Sequence, residues 1–221
     1  MAYAVDNTQQ LHAFLVAQYG SGPVQSQIES YFFSSPTAVD TAQGTGANLE
    51  VLSPVAHEIA VATTSPEPLE FVADQNSSAT TEDFDVSGPG RIGLMLTAPK
   101  VDFSLTGSGI DTIYATAGND TIDASGAKGN ETFYLGTGNE TVTGGSGDDT
   151  FYVDRFPGFE TGNTNTISIT GGSSGNNSLL FSDPISDASV STVAGVTTVN
   201  FTSGPNAGQD VTFSNMQFVA F

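Results

Sequence analysis

The chain has 221 residues, of which 38% are hydrophobic and only 13% charged, and 24 acidic against 4 basic side chains give it a formal net charge of −20. Such a chain attracts polyvalent cations and repels polyanions, and its basic residues, Arg91, Lys100, Lys128 and Arg155, are too scattered to form a patch, so nucleic-acid binding is excluded. The absence of cysteine removes disulfides, thiolate metal sites and cysteine catalysis.

The N-terminal residues carry the helical signal. Leu11, Phe14, Leu15 and Tyr19 follow a helical rhythm behind Asp6 or Asn7 as cap, and Gly20 stops it. Pro23 opens a second amphipathic stretch with Val24, Ile28, Tyr31 and Phe32 on one face. The expectation is a short helical hairpin over residues 6–33, followed by a linker over 34–48, so that 1–48 forms one segment. Residues 1–19 lack Lys and Arg, and Ala13–Ala17 is too short for the apolar core of a secretory signal. Runs long enough for a membrane-spanning helix are missing, so no membrane insertion is expected.

Residues 49–105 read as β-rich, with strands predicted at Leu49–Ser53, Glu58–Thr63, Leu69–Ala73, Arg91–Thr97 and Val101–Thr106. The polar, acidic stretch 74–90 between them reads as a loop.

Residues 106–152 repeat. Cut in nines they are TGSGIDTIY, ATAGNDTID, ASG(AK)GNETFY, LGTGNETVT and GGSGDDTFY, with Ala127 and Lys128 as an insertion in the third unit. The shared pattern is x-G-x-G-x-[DE]-T-U-x, where U is Ile113, Ile122, Phe133, Val142 or Phe151. The acidic position is Asp111, Asp120, Glu131, Glu140 or Asp149. Each unit supplies a glycine turn, where carbonyls are left accessible, and a short strand whose central apolar residue points inward. Two units make one turn of a flattened roll, so units one, three and five share one edge and units two and four the other.

This pattern resembles the G-G-x-G-x-D-x-U-x nonapeptide of the RTX (repeats-in-toxin) family of secreted proteins. The resemblance implies a mainly β fold: a right-handed parallel β-roll or β-solenoid over residues 106–154, with flanking strands and the short N-terminal helical segment. It implies Ca2+ as cofactor, held between neighbouring turns by Asp111, Asp120, Glu131, Glu140 and Asp149 together with turn glycines Gly107, Gly109, Gly118, Gly129, Gly138, Gly145 and Gly147. Hard oxygen donors of this kind are what Ca2+ prefers. The candidate pairs are Asp111 with Glu131, Glu131 with Asp149, and Asp120 with Glu140. Two features depart from the family pattern: Glu replaces Asp in units three and four, and the double glycine is complete only at Gly144–Gly145.

Residues 155–221 alternate apolar and polar, with strands predicted at Thr166–Thr170, Ser178–Phe181, Ala188–Val193, Val196–Thr202, Val211–Ser214 and Met216–Phe221, and a hairpin turn at Ala194–Gly195. The ending is similar to the β-rich flank and C-terminal export signal that follow RTX repeats, which implies the type I secretion apparatus as partner and a secreted, extracellular or cell-surface location.

Enzyme motifs are weak. His57-Glu58 opens a zinc-protease pattern that Val61 breaks, and Gly171–Gly175 matches G-x-S-x-G only inside a glycine-serine turn. The expectation is therefore a non-enzymatic, secreted calcium-binding structural protein that self-assembles into a filament, sheet or biofilm-matrix scaffold. The alternatives are a soluble, monomeric RTX-type adhesin or effector, and an enzyme with an unrecognised site.

Overall fold

The structure is a computed structural model that describes residues 2–4, 49–52, 58–62, 69–73, 82–88, 92–96, 100–109, 111–153 and 164–221. The helices expected over 6–33 and the linker over 34–48 lie outside the described residues. Within residues 1–48 the described element is a strand, β1 (Ala2–Ala4), which pairs antiparallel with β2 (Leu49–Leu52).

From β2 the chain alternates between two sheets. The next strands are β3 (Glu58–Ala62), β4 (Leu69–Ala73), β5 (Glu82–Gly88), β6 (Ile92–Leu96) and β7 (Val101–Gly107). The repeats form β8 (Thr112–Ala117), β9 (Thr121–Ala127), β10 (Thr132–Thr137), β11 (Glu140–Thr143) and β12 (Thr150–Val153). The tail adds β13 (Thr166–Thr170), β14 (Ser178–Phe181), β15 (Ala188–Val193), β16 (Val196–Phe201), β17 (Asp210–Ser214) and β18 (Phe218–Ala220). Among the described residues the order is β1-β2-β4-β6-β8-β10-β12-β14-β18 in one sheet and β15-β16-β17-β13-β11-β9-β7-β5-β3 in the other. From β2 to β14, even and odd strands stack separately and in parallel, two strands to a turn, and β17 and β18 continue the two stacks; β1 and the hairpin β15–β16 add to the ends antiparallel. This is a β-solenoid. The stack begins at β2 and β3, well before the repeats, and continues past them.

One expectation is corrected. Residues 82–88, read as part of an acidic loop, form β5, which pairs in parallel with β3 and β7. Its alternating Phe84 and Val86 share register with Phe103 and Leu105, both buried. Ladders on both sides outweigh the poor strand propensity of its aspartates.

The predicted inward positions hold throughout the repeats: Ile113, Ile122, Phe133, Val142 and Phe151 are all buried to 1% exposure or less. Burial of such side chains contributes ~1.5–3 kcal/mol each. In-register stacking repeats the inter-strand spacing in the side chains. Phe133 and Phe151 stack inside at 4.8 Å, and Tyr114, Tyr134 and Tyr152 stack outside at 4.7 and 4.8 Å. One extra residue of the third unit is absorbed as a bulge in β9: Ser104 pairs with Asp123 but Thr106 with Gly126, and Ser125 N donates to the Asp123 carboxylate. Lys128 is exposed, and its N–H bonds to Gly107 O at 2.7 Å. The predicted hairpin is present, with Ala194 at φ 50° and Gly195 at φ 83° joining β15 to β16. Two positive φ angles in a two-residue loop match the twist of the flanking strands.

Candidate metal centre

Because Thr112, Thr132 and Thr150 stand in register on β8, β10 and β12, the acids that precede them fall in one column at one edge of the roll. Thr121 and Thr141 likewise place Asp120 and Glu140 at the other edge. The roll therefore sorts the predicted carboxylates into Asp111–Glu131–Asp149 and Asp120–Glu140, as the sequence pairing expects. All five are buried, at 4%, 1%, 0%, 1% and 1% exposure respectively. They turn into the roll beside its apolar core, which the repeat pattern alone does not reveal.

Each acid sits in a different state of satisfaction. Asp149 accepts from Glu131 N at 3.0 Å through one oxygen and from Gly145 N at 2.8 Å through the other. A Cβ on Gly144 would press on the Asp149 carboxylate, so the complete double glycine leaves room for that acid. Asp120 accepts from Val101 N at 3.0 Å through Oδ1, while Oδ2 is buried with no donor. Glu140 accepts from Asn165 Nδ2 at 3.4 Å. Glu131 is the most exposed to repulsion. Its carboxyl lies within hydrogen-bond reach of Asp149, a contact that needs a proton on the pair, and neither Glu131 oxygen has another hydrogen-bond partner.

The electrostatics follow. Burial, then the negative charges of Asp149 and Asp111, push the Glu131 carboxyl up to about 9. Burial, with a smaller push from Asp102, raises Asp120 to about 7 against the hydrogen bond from Val101. Buried carboxylates this uncompensated need a proton or a cation. A hard divalent ion between turns fits this arrangement. Among the described residues no three carboxylates or imidazoles converge on one point, so each ion would take most of its ligands from backbone carbonyls.

The predicted glycines line the same turns. Gly109, Gly129 and Gly147 stack in one column and Gly118 and Gly138 in the other, each so close that a Cβ on the upper residue would overlap the carbonyl oxygen of the one below. Gly107 O accepts the Lys128 N–H, and Gly145 O accepts Ser173 N at 3.1 Å.

A sixth unit escaped the sequence reading. Gly172 stacks on Gly145, Gly175 on Gly147, Asn176 on Asp148, and Ser178 on Thr150. Asn177 thereby occupies the acidic position, 1% exposed, and its side-chain oxygen accepts Asp149 N at 3.1 Å. The signal was the spacing G-N-N-S-L in 175–179, hidden by one extra serine and by the amides. The columns continue as amides: Asn177 N donates to Gln217 Oε1 at one edge, and Gln209 Nε2 to Asn165 Oδ1 at the other. An amide carries its own donor and needs no cation. Asparagine ladders also run outside the acids, with Asn139 donating twice to Asn119 Oδ1 and Asp148 N donating to Asn130 Oδ1.

The parallel two-sheet coil with glycine turns and buried edge carboxylates defines a calcium β-roll. A family model of the RTX calcium-binding nonapeptide repeat, in 4 copies, matches residues 105–127 and 125–156. These are RTX repeats, the repeat of that family binds Ca2+, and the chain is a calcium-binding protein of the RTX type. Comparison with curated proteins and with solved structures gives no match. Among the described residues no helix is long and apolar enough to cross a membrane.

Proposed function

We propose that the acids and glycines of the two edge columns are the calcium ligands, and that the ion-locked roll is the body of a secreted structural protein. In this reading Asp111, Glu131 and Asp149 serve one edge and Asp120 and Glu140 the other. Carbonyls among Gly107, Gly109, Gly118, Gly129, Gly138, Gly145 and Gly147 complete the oxygen shells. Those already accepting one N–H keep a second lone pair. The observation that carries the reading is Glu131, whose two buried carboxylate oxygens face other carboxylates without a donor.

The protein leaves the cell through a type I secretion apparatus, acts at the cell surface or outside, catalyses no reaction, and assembles with copies of itself into a filament, sheet or matrix scaffold. The support is architectural: described strands run to both ends of the stack, and the body of the chain is given to the solenoid. Circular dichroism in chelator and in millimolar calcium tests the first half. A spectrum indifferent to calcium removes the ligand assignment. Electron microscopy and light scattering of the calcium form test the second half. A strictly monomeric particle leaves a soluble calcium-binding adhesin or effector as the function.

A further inference from the structure

The C-terminal end of the solenoid is stepped. After β17 and β18, one sheet stops at β18 while the other runs on through the hairpin β16 and β15. The inward column Ile167–Val211–Val199–Val190 follows the pairing across this end. Its first three members are fully buried, but Val190 is 48% exposed, because the opposite sheet has ended. The apolar interior is thus left open on the overhang. Within residues 100–153 and 164–221, where side-chain exposure is described, the large apolar side chains that remain exposed are Ile185, Val190, Val193, Val196 and Phe218. Residues 188–209 contain no charged side chain, in a chain of net charge −20. The edge strand β15, ASVSTV, has none of the lysines, prolines or inward charges that protect a sheet edge.

We propose that this step is the docking surface for a second copy of the chain, related by a two-fold axis. Each overhanging hairpin fills the step of the other. The inner faces around Val190 meet, and the open edge of β15 lies along the open edge of β18 in the partner. A two-fold contact needs a self-complementary surface, and a half-lapped step supplies one. Charge identifies the occupant as another copy. Two chains this acidic repel over most of their surfaces, and the hairpin between Asp187 and Asp210, itself free of charge, is where they approach at least cost. The inference rests on the self-assembly reading and gives it a first interface.

Sedimentation velocity in millimolar calcium tests it on the full chain. Val190→Glu and Thr192→Glu place a charge on the inner face of β15, the second without removing an apolar contact. Both should weaken the dimer at least about tenfold while leaving the calcium-induced circular dichroism intact. Val193→Glu, 75% exposed on the opposite face, should dimerise like the parent. If both inner variants associate as tightly as the parent while larger assemblies still form, the step is not the interface and the self-assembly reading stands. If the parent never associates, both fall. A dimer that responds to β15 but never extends supports the step and removes the filament.

Discussion

Glu131 combines a buried carboxylate with two like-charged neighbours, and this makes the calcium-free roll sensitive to pH. Its folded pKa of about 9 lies above the ordinary value of 4.5, and that of Asp120, about 7, above 3.8. Between those limits the folded state holds protons that the unfolded chain has released, so stability falls as pH rises. In chelator, the β signal should therefore be stronger at about pH 5.5 than at about pH 8.5. The difference in folding free energy should be on the order of several kcal/mol, because a proton that only the folded state retains across one pH step is worth ~1.4 kcal/mol. Glu131→Gln should flatten the upper part of that profile and weaken calcium binding. With calcium present the trend should reverse, because protons compete for the same oxygens. A denaturant titration across pH, with and without calcium, checks both signs.

Glycine at the turns is a matter of space as much as of torsion. Gly138 has φ 135°, and a Cβ there would overlap the Gly118 carbonyl, whereas Gly195 has φ 83° and open space around it. Gly195→Ala should cost only about 1 kcal/mol, the penalty for a left-handed residue. Gly138→Ala should cost several times more, because backbone must move as well, and should prevent calcium-induced folding. Thermal melts of the two variants in calcium make the comparison.

At the scale of the strand and turn, the sixth unit departs from the other five at the acidic position. Units one to five place a carboxylate in the column and unit six places the Asn177 amide. The amide oxygen accepts Asp149 N, and its nitrogen donates to Asn215 O at 3.3 Å, so the turn is closed without an ion. Asn177→Asp should lower stability in chelator by about 1–3 kcal/mol, the cost of an unsatisfied buried polar group, or more once the charge is included. Calcium should recover the loss, and titration calorimetry should show whether the lengthened column takes up an additional ion. The insertion in unit three is likewise confined to its own turn: β9 bulges at Ala124–Ser125, and beyond it Thr132 meets Thr112 and Thr150 in register.

At the scale of the molecule, net charge and site binding separate experimentally. Surface repulsion is screened over a Debye length of ~8 Å at physiological salt, but buried carboxylates are screened far less. Raising sodium chloride in chelator should recover only a minor part of the β signal and compaction that millimolar calcium produces, as read by circular dichroism and hydrodynamic radius. Full recovery by sodium would mean that general repulsion, and not ligation at Glu131 and its neighbours, controls the fold.

The nonapeptide period by itself determined the parallel roll, the alternation of edges, the inward positions from Ile113 to Phe151, and the two acidic columns. A period of nine residues with glycine turns has one way to bury its apolar residue, and register then carries every other position along. Tertiary structure decided the rest. Glu82–Gly88 became β5 because β3 and β7 offered hydrogen bonds on both sides, which local composition does not record. The acids turned inward because the turn is narrow and the glycines beneath leave the space. The sixth unit is defined by the stacking of Asn177 on Asp149, since an amide column obeys the same geometry with different letters. The open step at β15 and β18 arose because the two sheets end at different strands, a property of the whole stack that no single segment contains.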